Sequence, residues 1–183
     1  GERSGHSPEG ILVALVVAET PDIAQDAAEL VSIAYEPLPA VVDIKDAVAS
    51  GAPQLWPEAP RNVALDWPGP QTKPEENQRE VERMFASAAH IAKVSLVNQR
   101  IVVASLETRG ATAAYDATTD NYLLRAPSQG VRMLRDQVAA SMTLPPERLR
   151  LVTDDVGGAF GMKTAAYAEY VALLVAAKRV GRP

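Results

Sequence analysis

The sequence predicts an α+β fold, and three observations carry that reading. Apolar residues recur at helical spacing in several separate stretches, extended apolar runs bounded by turn residues lie among them, and 47% of the 183 residues are hydrophobic, enough for a buried core. Lys and Arg number 18 against 23 Asp and Glu, a net charge of −5 with the basic residues scattered, which argues against a nucleic-acid partner. The lack of cysteine excludes disulfides, iron–sulfur ligation and cysteine-bound zinc within the chain.

Residues 1–10 are polar and glycine-bearing and read as a loop or a cut end. The apolar run that follows is too short for a membrane span and lacks a basic flank and a cleavage pattern, so 11–19 reads as a buried strand and cytoplasm is the default location. Thr20 caps a helix that starts at Pro21, has Asp22 near the positive end of its dipole, presents Ile23, Ala27, Leu30 and Val31 on one face, and ends near Val31. A second strand is expected at 32–36, stopped by Pro37 and Pro39, and a short helix at 43–49, closed by Gly51. The proline-rich, aperiodic stretch 51–76 reads as a linker between a first domain, 1–50, and a second, 77–183.

In the second half, Val81, Met84, Phe85 and Ala88 share a helix face over 77–88. Extended runs are expected at 89–97, 112–115 and 122–126, with 116–121 a polar hairpin loop. Val131, Leu134, Val138 and Met142 mark a helix over 129–142 that Pro145 and Pro146 terminate. A strand-like run at 149–153 follows, and Tyr167, Tyr170, Val171 and Leu174 mark a last helix. The chain stops just after that helix, where a strand is expected, so both ends read as truncations.

The segment most informative about chemistry is 155–164, DVGGAFGMKT, between the strand-like run and the last helix. Glycines at such a turn let backbone N–H groups approach a ligand, and a following helix would add the positive end of its dipole, suiting an oxo group or a phosphate. A bare tight turn is the alternative. Gly157 to Thr164 also has phosphate-loop spacing, with Lys163 and Thr164 in place, but Met162 stands where the second glycine must let the amides curl round a phosphate. His6 and His90 have no partner at ligand spacing and suggest no metal site.

Two further segments, Ser105-Leu106-Glu107-Thr108-Arg109-Gly110 and Pro127-Ser128-Gln129-Gly130, precede the glycine turn. In order and spacing the three resemble the M-E-P-R-G, [ST]-[ST]-Q and D-x-G-G-x-F-G-x-K segments of the molybdopterin-binding large subunit of the xanthine dehydrogenase, aldehyde oxidase and carbon monoxide dehydrogenase family. Residues 13–43 resemble the closing part of that family's α/β hammerhead domain, and 168–183 the helix after its glycine turn. The resemblance implies a partial hammerhead unit followed by the start of a mixed α/β molybdenum-cofactor-binding domain.

By this resemblance Gln129 brings its amide to the ligands of the molybdenum, Phe160 and Gly161 stand at the apical oxo ligand, where the backbone amide donates and the small residue allows the approach, and Gly157 and Gly158 shape the turn. Gln129 as a helix-capping amide is the structural alternative. Glu107 and Arg109 would form a supporting ion pair. The implied cofactor is molybdopterin, in its plain or cytosine dinucleotide form, with iron–sulfur clusters and FAD on partner subunits or domains. The implied reaction is hydroxylation at carbon by hydroxide attack and hydride transfer. Thr108 replaces the usual proline, and Thr164 stands where purine-oxidising members carry glutamate, so aldehydes, carbon monoxide or other N-heterocycles are the implied substrates. The family's general base lies in a later domain, so this chain is expected to be inactive without the remainder of the large subunit. A non-catalytic scaffold and a nucleotide-binding protein with a degenerate phosphate loop are the competing readings.

Overall fold

The computed structural model describes residues 12–67, 73–98 and 101–183, so Ile11, His6 and part of the expected linker lie outside the described residues. Helices are α1 (Pro21–Glu29), α2 (Ile44–Ala47), α3 (Pro74–Ser87), α4 (Val131–Ser141) and α5 (Ala168–Val180), and strands are β1 (Thr112–Asp116), β2 (Asn121–Arg125) and β3 (Leu149–Val152). The described residues form two compact units, one of 35–67 and 73–98, the other of 12–34 and 101–183. Among them no helix is long and apolar enough to cross a membrane.

In the first unit, the Asp43 side chain accepts from the Lys45 N–H at 2.7 Å and so starts α2, as the short helix required. Asn62 organises the proline-rich stretch: its Oδ1 accepts from Leu55 N at 2.8 Å, and its Nδ2 donates to the carbonyls of Ala47 and Pro53. Proline at the start of α3, with Glu75 and Glu76 in its first turn, suits a helix N-terminus. Its expected apolar face is nonetheless open, with Met84 62% and Phe85 58% exposed. The run 89–97 is not a strand.

In the second unit, Thr20 Oγ1 accepts from Ile23 N and caps α1, which buries none of its residues. The strands expected at 11–19 and 32–36 do not form in the described residues. An apolar run becomes a strand only where another edge supplies N–H and C=O partners, and none pairs with these.

The core lies under one three-stranded sheet in the order β1-β2-β3. The hairpin β1–β2 is antiparallel and β2–β3 parallel, and the register aligns Ala113, Leu124 and Leu151 in one row and Tyr115, Tyr122 and Leu149 in the next. Period-two alternation puts both rows on one face, which α4 covers over β3 and α5 over β1. Leu124, Leu134, Val138, Leu149 and Leu174 are fully buried there. The helix α4 stops at Ser141, before the two prolines, because Thr143 takes a left-handed φ of 55°.

Candidate functional site

Parallel strands that end side by side leave their following loops adjacent, and at the carboxyl ends of β2 and β3 those loops are 126–130 and 153–164. Hydrogen bonds sew them together from the sheet outward. Ala126 N donates to Val152 O at 3.1 Å, and Thr153 Oγ1 donates to Ala126 O at 2.8 Å. The one Thr153 hydroxyl proton is thereby used, so Ser128 Oγ donates to Thr153 Oγ1, 2.9 Å away. Next, Gln129 N donates to Lys163 O at 3.0 Å and Lys163 N donates to Gln129 Oε1 at 3.3 Å. Gln129 therefore lies against the glycine turn, as the motif reading requires, and does not cap α4, whose N-cap is Gly130. With Oε1 accepting from Lys163 N, Nε2 keeps both hydrogens without a protein acceptor among the described residues.

The turn itself lies on the E-x-R loop. Glu107 N donates to Gly157 O at 3.1 Å and Gly157 N donates back to Glu107 Oε2 at 2.8 Å. A Cβ at position 157 would lie 2.6 Å from the Glu107 Cβ, so only glycine allows this approach. Gly158, Phe160 and Gly161 take left-handed φ values of 93°, 49° and 89°, which curl the main chain so that, among the described residues, the N–H groups of 158–161 donate to no protein acceptor. A Cβ at Gly161 would meet nothing within 4 Å, so the front of the turn is open. Thr164 Oγ1 closes the loop by donating to Gly161 O at 2.9 Å.

Two expectations are corrected. The helix α5 begins at Ala168, beyond Thr164, because the loop closes on itself first; the available donors are loop amides, and residues 165–167 separate them from the start of α5. Glu107 and Arg109 also take separate partners. Lys163 Nζ, with a fully buried side chain, donates to Glu107 Oε2 at 2.7 Å and to Glu107 O at 2.9 Å. The Lys163 hydrogen bond first, then that of Gly157 N–H, holds the Glu107 carboxyl below its ordinary range. The Arg109 guanidinium lies 3.6 Å over the Tyr167 ring and 3.7 Å from Glu169 Oε1, while Tyr167 Oη donates to Met162 O. Arg109 thus supports the turn through an aromatic ring.

Lys163 is the residue that sequence reasoning misjudged, having weighed it only for phosphate. Its ammonium is buried against Glu107 and has no reach toward a nucleotide. The usable signal was its place in the same motif as the glycines, with an acid of another motif left to pair with it.

Residues 57–183 match the Molybdopterin cofactor-binding domain family. The chain belongs to this family. Its resemblance to molybdopterin-binding large subunits, read from the three motifs, is therefore borne out. The chain is 30% identical to the carbon monoxide dehydrogenase large chain of Hydrogenophaga pseudoflava over 93% of its own length and 22% of that protein's. Against rat xanthine dehydrogenase/oxidase the identity is 28%, over 95% of the chain and 12% of the relative. The crystal structure of quinoline 2-oxidoreductase from Pseudomonas putida 86 superposes with a TM-score of 0.72 at 30% identity, covering 90% of this chain and 20% of that one. The match supports the α+β architecture and shows that the chain corresponds to a minor part of each relative.

Proposed function

We propose that the protein works as part of a molybdopterin-dependent oxidoreductase, with the pterin-held molybdenum seated against Gln129, Phe160 and Gly161. The observation that carries this is the donor set: a neutral amide whose Oε1 is tied back to Lys163 N, beside main-chain N–H groups at 158–161 with no protein acceptor. Such donors fit an electron-rich oxo or sulfido ligand, since they hydrogen-bond without adding charge. Gly161 leaves the approach open, and Gly157 and Gly158 hold the curl.

When bound, the cofactor supplies two-electron redox chemistry at a substrate carbon. This chain's own part is to position: Gln129 Nε2 and the turn amides orient the ligand by donors that carry no charge of their own. The substrate in this reading is an aldehyde, carbon monoxide or a non-purine N-heterocycle, because Thr164 offers a purine no carboxylate and turns its hydroxyl to Gly161 O. The general base, iron–sulfur clusters and FAD come from other domains or subunits, and 1–50, 51–76 and 77–183 correspond to hammerhead end, linker and cofactor-domain start.

Isolation of the protein from its host and metal analysis tests the proposal. Gln129→Ala and Gly161→Val, the latter filling the open front at a φ of 89°, should each lose molybdenum relative to wild type. Undiminished molybdenum in both variants would overturn it.

A further inference from the structure

A lysine side chain is seldom fully buried, because desolvating an ammonium is costly unless every proton finds an acceptor. Lys163 is 1% exposed, and both hydrogen bonds of its ammonium go to one residue of another loop, the Glu107 carboxylate and carbonyl, at 2.7 and 2.9 Å. Its main chain, however, makes the reciprocal pair with Gln129, receiving at Lys163 O and donating from Lys163 N. One residue therefore joins three loops: by its side chain the E-x-R loop, by its backbone the glutamine loop, and by its place in the chain the glycine turn.

We infer that Lys163 is a positioning residue: its buried ammonium fixes the Lys163 peptide, and that peptide holds the Gln129 amide with oxygen inward and NH2 outward. The inference rests on the proposed role of Gln129 and adds what sets its orientation. Glu107 is the anchor, since its own carbonyl also accepts from Ser105 Oγ at 2.6 Å and its N–H donates to Gly157 O at 3.1 Å, leaving it little freedom. Without the ammonium, the 3.3 Å bond to Gln129 Oε1 is the weakest link in this chain of contacts and is the first to open. The amide would then rotate and present oxygen as readily as nitrogen, repelling an electron-rich ligand.

The test compares Lys163→Met, close to isosteric and neutral, with Gln129→Glu, which keeps an oxygen for Lys163 N but removes the NH2 donor. Hydrogen exchange is read by peptide and molybdenum by mass spectrometry, on the protein isolated from its host. Lys163→Met should speed exchange of the 129 and 163 amides on the order of tenfold or more, the factor set by losing one charged hydrogen bond. Exchange in β2 and α5 should stay unchanged, which a general loss of stability would not permit, and molybdenum should fall. Gln129→Glu should lower molybdenum with the 163 amide still protected. Should Lys163→Met leave exchange at 129 and the metal content as in wild type, positioning by Lys163 is wrong even where Gln129→Glu loses metal. Retention of metal by Gln129→Glu would instead remove the role of Gln129 on which the inference rests. If Lys163→Met does not fold, Glu107→Gln, which spares the Lys163 contact to the Glu107 carbonyl but weakens the one to its side chain, must show the same local exchange pattern or the inference falls.

Discussion

Replacing Gly157 by alanine tests how tightly the E-x-R loop and the glycine turn are pressed together. The new Cβ would lie 2.6 Å from the Glu107 Cβ, whereas carbon atoms rest about 3.5–4.0 Å apart, so the two backbones must separate by about 1 Å. Such a shift takes the Glu107 N to Gly157 O bond, now 3.1 Å, past the length at which a hydrogen bond survives. Glu107 cannot simply swing away, because Lys163 and Ser105 hold its carbonyl. Overpacking of this kind costs about 1–3 kcal/mol. Alanine returns about 0.4–1 kcal/mol by restricting the unfolded chain, for a net loss centred on ~1.3 kcal/mol and at most about 2.6 kcal/mol. At about 2–4 °C per kcal/mol for a chain of this size, the central expectation is a fall in melting temperature of about 3–5 °C. Gly110→Ala is the control: the same change near Glu107, but its Cβ meets nothing within 4 Å, so it should be neutral or slightly stabilising. Thermal and denaturant unfolding of both variants decide the matter. A Gly157→Ala protein as stable as Gly110→Ala would refute the close approach, and with it the glycine's role in shaping the turn.

Leu124 is fully buried on the central strand, so Leu124→Ala should cost about 2–5 kcal/mol in denaturant unfolding, while Leu123→Ala on the other face should cost distinctly less; equal losses would mean that the helix-covered face has been misassigned. Acid sensitivity follows from Glu107. Hydrogen bonds from Lys163 and the Gly157 amide lower its folded-state value below the ordinary 4.5, so its contribution is fully present above 4.5 and is lost as pH falls through the lowered value. Stability measured from neutrality into the acid range should show wild type and Glu107→Gln converging as pH drops, against the shared background of Asp116 and Asp120, which are also lowered. A constant gap would contradict the carboxylate's role.

Local signals in the sequence were read well where they act locally. Thr20, Asp43 and the residues of the β1–β2 loop place their elements because capping and hairpin turns depend on a few neighbouring atoms. The stripe Val131, Leu134, Val138 found α4 because that helix has the sheet to cover. The same rule placed α3 yet misjudged its burial, and it promised strands at 11–19 and 32–36 where no partner edge is present among the described residues: periodicity reports what a segment could bury, and a strand exists only by pairing. At the site, motif order correctly brought Gln129 beside the glycine turn. It paired Glu107 with Arg109 because they are near in sequence, whereas the acid's partner is Lys163, fifty-six positions away. Such long-range pairings are fixed by which loops the sheet leaves adjacent, and the spacing along the chain does not encode them.

In the proposed reading, that arrangement separates charge from the groups that would meet the cofactor. The ionic contacts, Lys163 with Glu107 and Arg109 with Glu169, lie behind or beside the turn and hold loops together, while the groups left with spare donors are neutral: the Gln129 amide and the amides of 158–161. A fixed cation at the front would bind an anion tightly but would stabilise one charge state of a redox centre over another, whereas neutral dipoles orient a ligand through either state. Burying the lysine behind the turn thus gives rigidity to the donors without lending them its charge. The lysine beside three glycines is bonded to Glu107, and Met162 fills the place of the second phosphate-loop glycine.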